Sequence, residues 1–306
     1  MGKLCSCTSG IANLGTPNCI PTFGIIERLA LVQLTDSEGN LNKIDPSAAF
    51  DQSFLDGLVS EVDSTKRLIL TPDIKNLTNE RSETEYETFD DGTKCRLRSG
   101  IRTISGLYVG KGIDFYRRLA SMSCVKLGVY LLSDCDGIMG EEGADGFLYP
   151  IAIENFEATW LAATSTTCEK VGFTFDFKRS VEDEDLQFIA GDYVDGDFDL
   201  SPQIIDVKGT YTNVTTTASD VVLNFYYGSY GNKLPLTGLT IADVASITNV
   251  TTGGALTVAS VTDLGSGKYT IAYTGTSSIG DSIQFEFTST GYDFSSANAV
   301  VSEITA

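Results

Sequence analysis

The chain has 306 residues, 42% of them hydrophobic, and a formal net charge of −20. That length predicts two domains with apolar cores of their own, and the charge argues against wrapping nucleic acid, which needs a basic footprint. The sequence contains no histidine, which removes the commonest general base and the imidazole metal ligand, so the expectation is a protein that is not an enzyme.

The N-terminal arm, Met1 to Phe23, lacks the apolar core of a secretory signal. Gly2 and Ser6 fit the myristoylation pattern, with Cys5 and Cys7 alongside, but the pattern is short and we read a polar arm. The seven cysteines, Cys5, Cys7, Cys19, Cys95, Cys124, Cys135 and Cys168, are odd in number and irregularly spaced. They are expected to be mostly reduced thiols, several of them buried as small hydrophobes. Cys5, Cys7 and Cys19 supply three zinc ligands of the usual four, and the next cysteine is 76 residues on. No metal or cofactor is expected.

Arg28–Thr35 and Leu41–Ile44 flank a hairpin loop at Asp36–Asn40. Asp45-Pro46-Ser47 then opens a predicted helix, with Phe50, Phe54, Leu55 and Leu58 on one face. Arg67–Thr71 reads as a short strand ended by Pro72, and Pro72 to Thr84 is long, polar and charged. Glu85–Phe89 and Lys94–Arg98 flank Asp90-Asp91-Gly92, a strong hairpin signal, and Arg102–Val109 continues the sheet. A second helix fits Ile113–Met122, where Phe115, Leu119 and Met122 share a face. Leu127–Leu132 and Ile138–Met139 form a hairpin around Asp134–Gly137. Leu148–Ile153 follows, and Val171, Phe173, Phe175 and Phe177 alternate along a late strand.

Composition shifts near residue 200. Met1 to Asp199 carries 33 acidic and 18 basic residues; Ser201 to the end carries 8 and 3, and has no Cys, Arg, Trp or Met. Ser201-Pro202 is the predicted boundary, giving domains 1–200 and 201–306. In the second, strands are expected at Ile204–Val214, Val221–Tyr227, Thr240–Val244, Ala255–Asp263, Lys268–Thr274 and Ser282–Thr288. The predicted fold class is mainly β. A β-sandwich or barrel domain with one or two packed helices precedes a small immunoglobulin-like β-sandwich.

Four features bear on function. Lys94, Arg96, Arg98 and Arg102 concentrate positive charge on one hairpin of an acidic chain, either as a solvated edge that resists aggregation or as a contact with an acidic surface of a neighbouring subunit. Glu182–Asp185 is an acidic run, read as an exposed loop or a face lining a cavity. Asp192, Asp195, Asp197 and Asp199 place hard oxygen ligands at close spacing but lack the EF-hand order, so a solvated acidic linker is favoured over a Ca²⁺ site. Gly110-Lys111-Gly112 lacks the longer phosphate-loop pattern and reads as a strand-to-helix turn. Sequons at Asn76, Asn213 and Asn249 are read as chance.

The order of these features resembles tailed-bacteriophage tail tube (major tail) proteins. Pro72–Lys94 corresponds to their extended loop or hairpin, Ile113–Met122 to their flanking helix, and Ser201–Ala306 to an appended immunoglobulin-like domain. The resemblance covers the chain at the level of layout and rests on no diagnostic motif. It implies a virion structural protein made in the host cytoplasm. Its partners would be itself, in hexameric rings stacked as a tube, and other virion proteins, with DNA only as passing cargo and no membrane. Other readings are a head fibre or capsid decoration protein, or a surface carbohydrate-binding module using Trp160, Tyr226, Tyr227 and Tyr230.

Overall fold

The computed structural model describes residues 23–98, 100–191, 194–198, 201, 203–226, 233–289 and 291–305, with the backbone alone at 97, 98, 225, 226 and 233. The chain divides into two compact units, Met1–Gln203 and Ile204–Ala306. Both are mainly β with few helices.

The elements of the first unit are β1 (Ile26–Gln33), β2 (Phe50–Asp51), α1 (Gln52–Val59), β3 (Ile69–Leu70), β4 (Lys75–Arg81), β5 (Glu85–Thr88), β6 (Lys94–Arg98), β7 (Arg102–Val109), α2 (Ile113–Ser121), β8 (Leu127–Ser133), β9 (Ile138–Glu142), β10 (Leu148–Tyr149), β11 (Ile151–Leu161), β12 (Lys170–Phe177), β13 (Leu186–Ile189) and β14 (Val194–Asp195). Ten of these strands make one curled sheet. Its main path runs β10-β9-β8-β11-β12-β7-β4, with β1 on β8, β3 on β1 and β13 on β9.

The centre is β8, Leu-Gly-Val-Tyr-Leu-Leu-Ser, buried at every position. Strand β1 pairs along its whole length, so β9 and β11 share its other edge. Successive side chains of a strand point to opposite faces, and β8 therefore feeds two cores. Leu127, Val129 and Leu131 join Val171, Phe173, Phe175 and Phe177 of β12 and Leu119 of α2. Tyr130 and Leu132 join Leu55 and Val59 of α1. A strand covered on both faces needs an unbroken apolar run, which is what the sequence holds here. By contrast β12 alternates buried and half-buried, with rings of Phe173, Phe175 and Phe177 stacked about 6 Å apart.

Several predicted elements are corrected. Asp45-Pro46-Ser47 is a turn, because Asp45 Oδ1 accepts from the Ser47 amide and hydroxyl and closes it locally. The helix starts at Gln52, capped by Asp51, whose carboxylate accepts from the Phe54 amide at 2.8 Å; Phe50 instead lies in β2, paired in parallel with Val194. Leu41 and Ile44 make only isolated bridges, to Thr35 and Leu148. The polar stretch Pro72–Thr84 contains a seven-residue strand, β4, and the strand expected at Leu148–Ile153 splits at Pro150, after which β11 runs on to Leu161. Of the described cysteines, Cys95, Cys124 and Cys168 are free thiols, in line with mostly reduced cysteines, but they are exposed and not buried as small hydrophobes; Cys135 is buried and disulfide-bonded.

The second unit holds β15 (Ile205–Thr212), β16 (Ala218–Tyr226), β17 (Lys233–Pro235), β18 (Val244–Asn249), β19 (Gly254–Gly265), β20 (Lys268–Thr274), β21 (Ser282–Phe287), β22 (Tyr292–Asp293), α3 (Ser295–Asn298) and β23 (Val301–Glu303). Its curled sheet runs β22-β15-β16-β20-β19-β18-β21-β23, with β17 on β16. The long β19 serves both layers: Gly254–Leu256 pair with β18 and Thr257–Gly265 with β20. One core, containing Val207, Leu223, Tyr269, Ile271, Tyr273 and Phe285, fills the sandwich. Its tyrosines keep their hydroxyls satisfied, Tyr269 donating to the Leu236 carbonyl and Tyr273 to that of Thr215, and burial pushes the Tyr273 phenol up to about 12. The strand expected at Thr240–Val244 is instead a 3-10 turn, because Thr240 and Asp243 form a reciprocal capping box before β18 begins.

Candidate assembly interface

The β5–β6 hairpin forms a two-stranded sheet of its own, inserted in the chain between the paired ends of β4 and β7. Asp91 builds its tip by accepting from the Thr93 amide at 2.9 Å, and Gly92 takes φ +80°, where a side chain would be strained. All four residues of β5 are exposed, and Tyr86 and Phe89 leave about half of their surface in solvent (53% and 50%). The hairpin joins the body where the Ser82 amide donates to the Ile101 carbonyl and the Ile101 amide to Ser82 Oγ, at 2.9 and 2.8 Å.

At its base, antiparallel pairing of β4 with β7 sets Arg81 directly opposite Arg102. Like charges so placed repel. Asp183 resolves this: its Oδ2 accepts from Arg81 Nη1 and, at 2.8 Å, from Arg102 Nη2. Glu182 accepts from Arg81 Nη2 at 3.3 Å and lies 3.6 Å from Arg96 Nη2 on the hairpin. Arg81 Nε also donates to the Gly100 carbonyl, and Arg102 Nη1 to Asn79 Oδ1. The two carboxylates sit at the start of a 3-10 turn, Asp183–Asp185, that follows β12. Sequence patterning thus places three arginines from three strands around one short acidic segment.

Of the four predicted residues, Arg96 and Arg102 reach this segment. Lys94 is exposed and forms no ion pair among the described residues, and the Arg98 side chain lies outside them. The acidic run Glu182–Asp185 is half-buried to exposed, and it receives arginines of its own chain. Arg81 escaped sequence reasoning because it lies in a polar stretch with no alternating apolar pattern. Asp183→Asn should free the Arg81–Arg102 repulsion and cost about 1 kcal/mol. Denaturant unfolding at low salt should show that loss, and the difference from wild type should shrink in high salt as both ion pairing and repulsion are screened.

The other candidates fare differently. Gly110-Lys111-Gly112 joins β7 to α2, with Gly112 capping the helix. Asp195 and Asp197 are described, Asp192 and Asp199 are not, and neither are Cys5, Cys7 and Cys19. Among the described residues no group of three or more His, Cys, Asp or Glu could hold a metal ion, and no helix is long and apolar enough to cross a membrane. Trp160 is partly exposed and donates to Glu169 Oε1 at 2.7 Å, while Tyr227 and Tyr230 lie outside the described residues. Comparison with protein-family models, with curated proteins and with solved structures finds no match to this chain.

Proposed function

We propose that this chain is a self-assembling structural protein, a phage tail tube subunit that stacks as rings and conducts DNA. The observation that carries this reading is the β5–β6 hairpin, a two-stranded sheet of its own with exposed aromatics and the cations Lys94 and Arg96 along β6, in a chain that is acidic as a whole. An isolated two-stranded hairpin is marginally stable in water, and exposed Tyr and Arg are the residue types that anchor protein interfaces. An acidic channel repels phosphate, so DNA slides without binding.

In this reading the first unit assembles and the second decorates. Each unit has its own core, which supports separating them. Deleting Ser201–Ala306 should leave the oligomers seen by negative-stain electron microscopy and sedimentation unchanged in ring size. Loss of every oligomer would end that division of labour. Compact trimers from the intact chain would favour a head fibre or decoration protein, the second reading that a second unit with its own core fits.

A further inference from the structure

We propose that Cys19 is the partner of the half-cystine at Cys135, and that this bridge is a redox latch fastening the N-terminal arm to the first unit. The inference stands apart from the assembly reading and holds whether or not the chain forms rings.

Elimination narrows the partner to three residues. Cys135 is buried and disulfide-bonded, and Cys95, Cys124 and Cys168 are free thiols. Of the seven cysteines only Cys5, Cys7 and Cys19 remain, all in the arm and all outside the described residues.

The place where the arm meets the fold selects among them. The Ile25 amide donates to Asp134 Oδ1 and the Asp134 amide to the Ile25 carbonyl, both at 2.9 Å, so the chain enters β1 alongside residues 133–137. Phe23 sets its ring edge-on to that of Phe188, with centroids 5.7 Å apart, and a Cβ at Gly137 would stand 3.5 Å from the Phe23 ring. Cys19 precedes Phe23 by four residues, a tether of at most about 14 Å. Cys7 and Cys5 precede it by 16 and 18. The effective concentration of a tethered group falls roughly as the −3/2 power of tether length, which favours Cys19 over either of them by about eightfold or more.

The receiving loop is a fixed point. Ser133 Oγ accepts from the amides of Cys135 and Gly137, at 3.3 and 3.0 Å. Gly191 packs so closely that a Cβ there would stand 1.7 Å from the Cys135 carbonyl oxygen. A bridge to this loop therefore ties the arm to a point that does not follow it. Closing the bridge takes two protons and two electrons from two thiols and passes them to a disulfide oxidant such as glutathione disulfide, which leaves as two thiols. A dithiol reverses the exchange and becomes a disulfide itself. Cytosolic reductants keep thiols reduced, so the latch opens in such a compartment and closes in an oxidising medium.

The test is a disulfide map of the full-length protein after treatment with glutathione disulfide. Free thiols are blocked, and the chain is cut with trypsin and chymotrypsin without reductant. Cleavage after Leu14 and Phe23 separates Cys19 from Cys5 and Cys7. The expected product joins a peptide within Gly15–Phe23 to one within Ser133–Met139, and it vanishes on adding dithiothreitol. Brief chymotrypsin treatment of the folded protein reads the latch: cleavage after Phe23 should be about tenfold faster with dithiothreitol than without. Cys135→Ser and Cys19→Ser should both be cut at that faster rate without reductant. Cys19→Ser changes no residue of the described cores, so it separates loss of the bridge from loss of the fold. A bridge from Cys135 to Cys5 or Cys7, or Cys135 recovered as a free thiol, overturns the pairing. A bridge to Cys19 with a cleavage rate indifferent to dithiothreitol overturns the latch.

Discussion

Phe175→Ala is expected to lower the stability of the first unit by about 3–5 kcal/mol and to leave the melting of the second unit unchanged. Phe175 is 1% exposed, and its ring stacks on those of Phe156, Phe173 and Phe177. It lies in the core that β12 shares with β8 and α2. Truncation removes a whole ring from a close-packed layer that is fixed by strand register on β7 and β11, so the site collapses little around the loss. Calorimetry should resolve the effect as a shift of one transition. Phe285→Ala, in the second core among Tyr211, Tyr273 and Phe287, should shift the other. A single transition that moves as a whole with either variant would show that the two units unfold together.

Gly100→Ala should detach the hairpin from the body. A Cβ at Gly100 would stand 1.7 Å from the Ser82 carbonyl oxygen and 2.7 Å from its carbon, both backbone atoms. Neither can rotate away, so β4 and β7 must part at the hairpin's root, breaking the Ser82–Ile101 bonds at a cost of about 3 kcal/mol. The Arg81 Nε donation to the Gly100 carbonyl is lost with them. Hydrogen exchange should rise across residues 85–101 while β8 stays protected, and limited proteolysis should cut the hairpin first. Gly92→Ala serves as the comparison: its Cβ meets nothing within 4 Å, and it should loosen only the tip through its positive φ. Exchange at 85–101 equal to wild type in Gly100→Ala would mean that the root is not what holds the hairpin in place.

Much of this architecture is legible in the sequence where local chemistry and long-range packing agree. The β5–β6 hairpin follows from Asp90-Asp91-Gly92, β12 from its alternating phenylalanines, and α2 from the spacing of Phe115 and Leu119. The composition shift near residue 200 lies a few residues from the division at Gln203–Ile204. Reading fails where a residue's role is set by a partner far along the chain. Phe50 fits a helical face by spacing, yet Val194 claims it for a parallel bridge. β4 has no apolar stripe because six of its seven residues are exposed, so only its pairing with β7 reveals it. The candidate site is half-legible for the same reason. Sequence shows a row of cations from Lys94 to Arg102 and an acidic run, but the 81-residue separation of Arg102 from Asp183 hides that they meet.

The sequon at Asn249-Val250-Thr251 acquires a consequence from its surroundings. Asn249 is fully buried; its amide donates to Asp281 Oδ2 at 2.8 Å and to the Thr276 carbonyl, and its oxygen accepts from the amides of Thr251 and Thr252. Oligosaccharide is joined to that same amide nitrogen, and in a eukaryotic secretory pathway it is joined while the chain is still open. A sugar there and the closed second sandwich exclude each other, so the choice of expression host becomes a structural variable: a host that glycosylates Asn249 would yield a second unit that cannot shut.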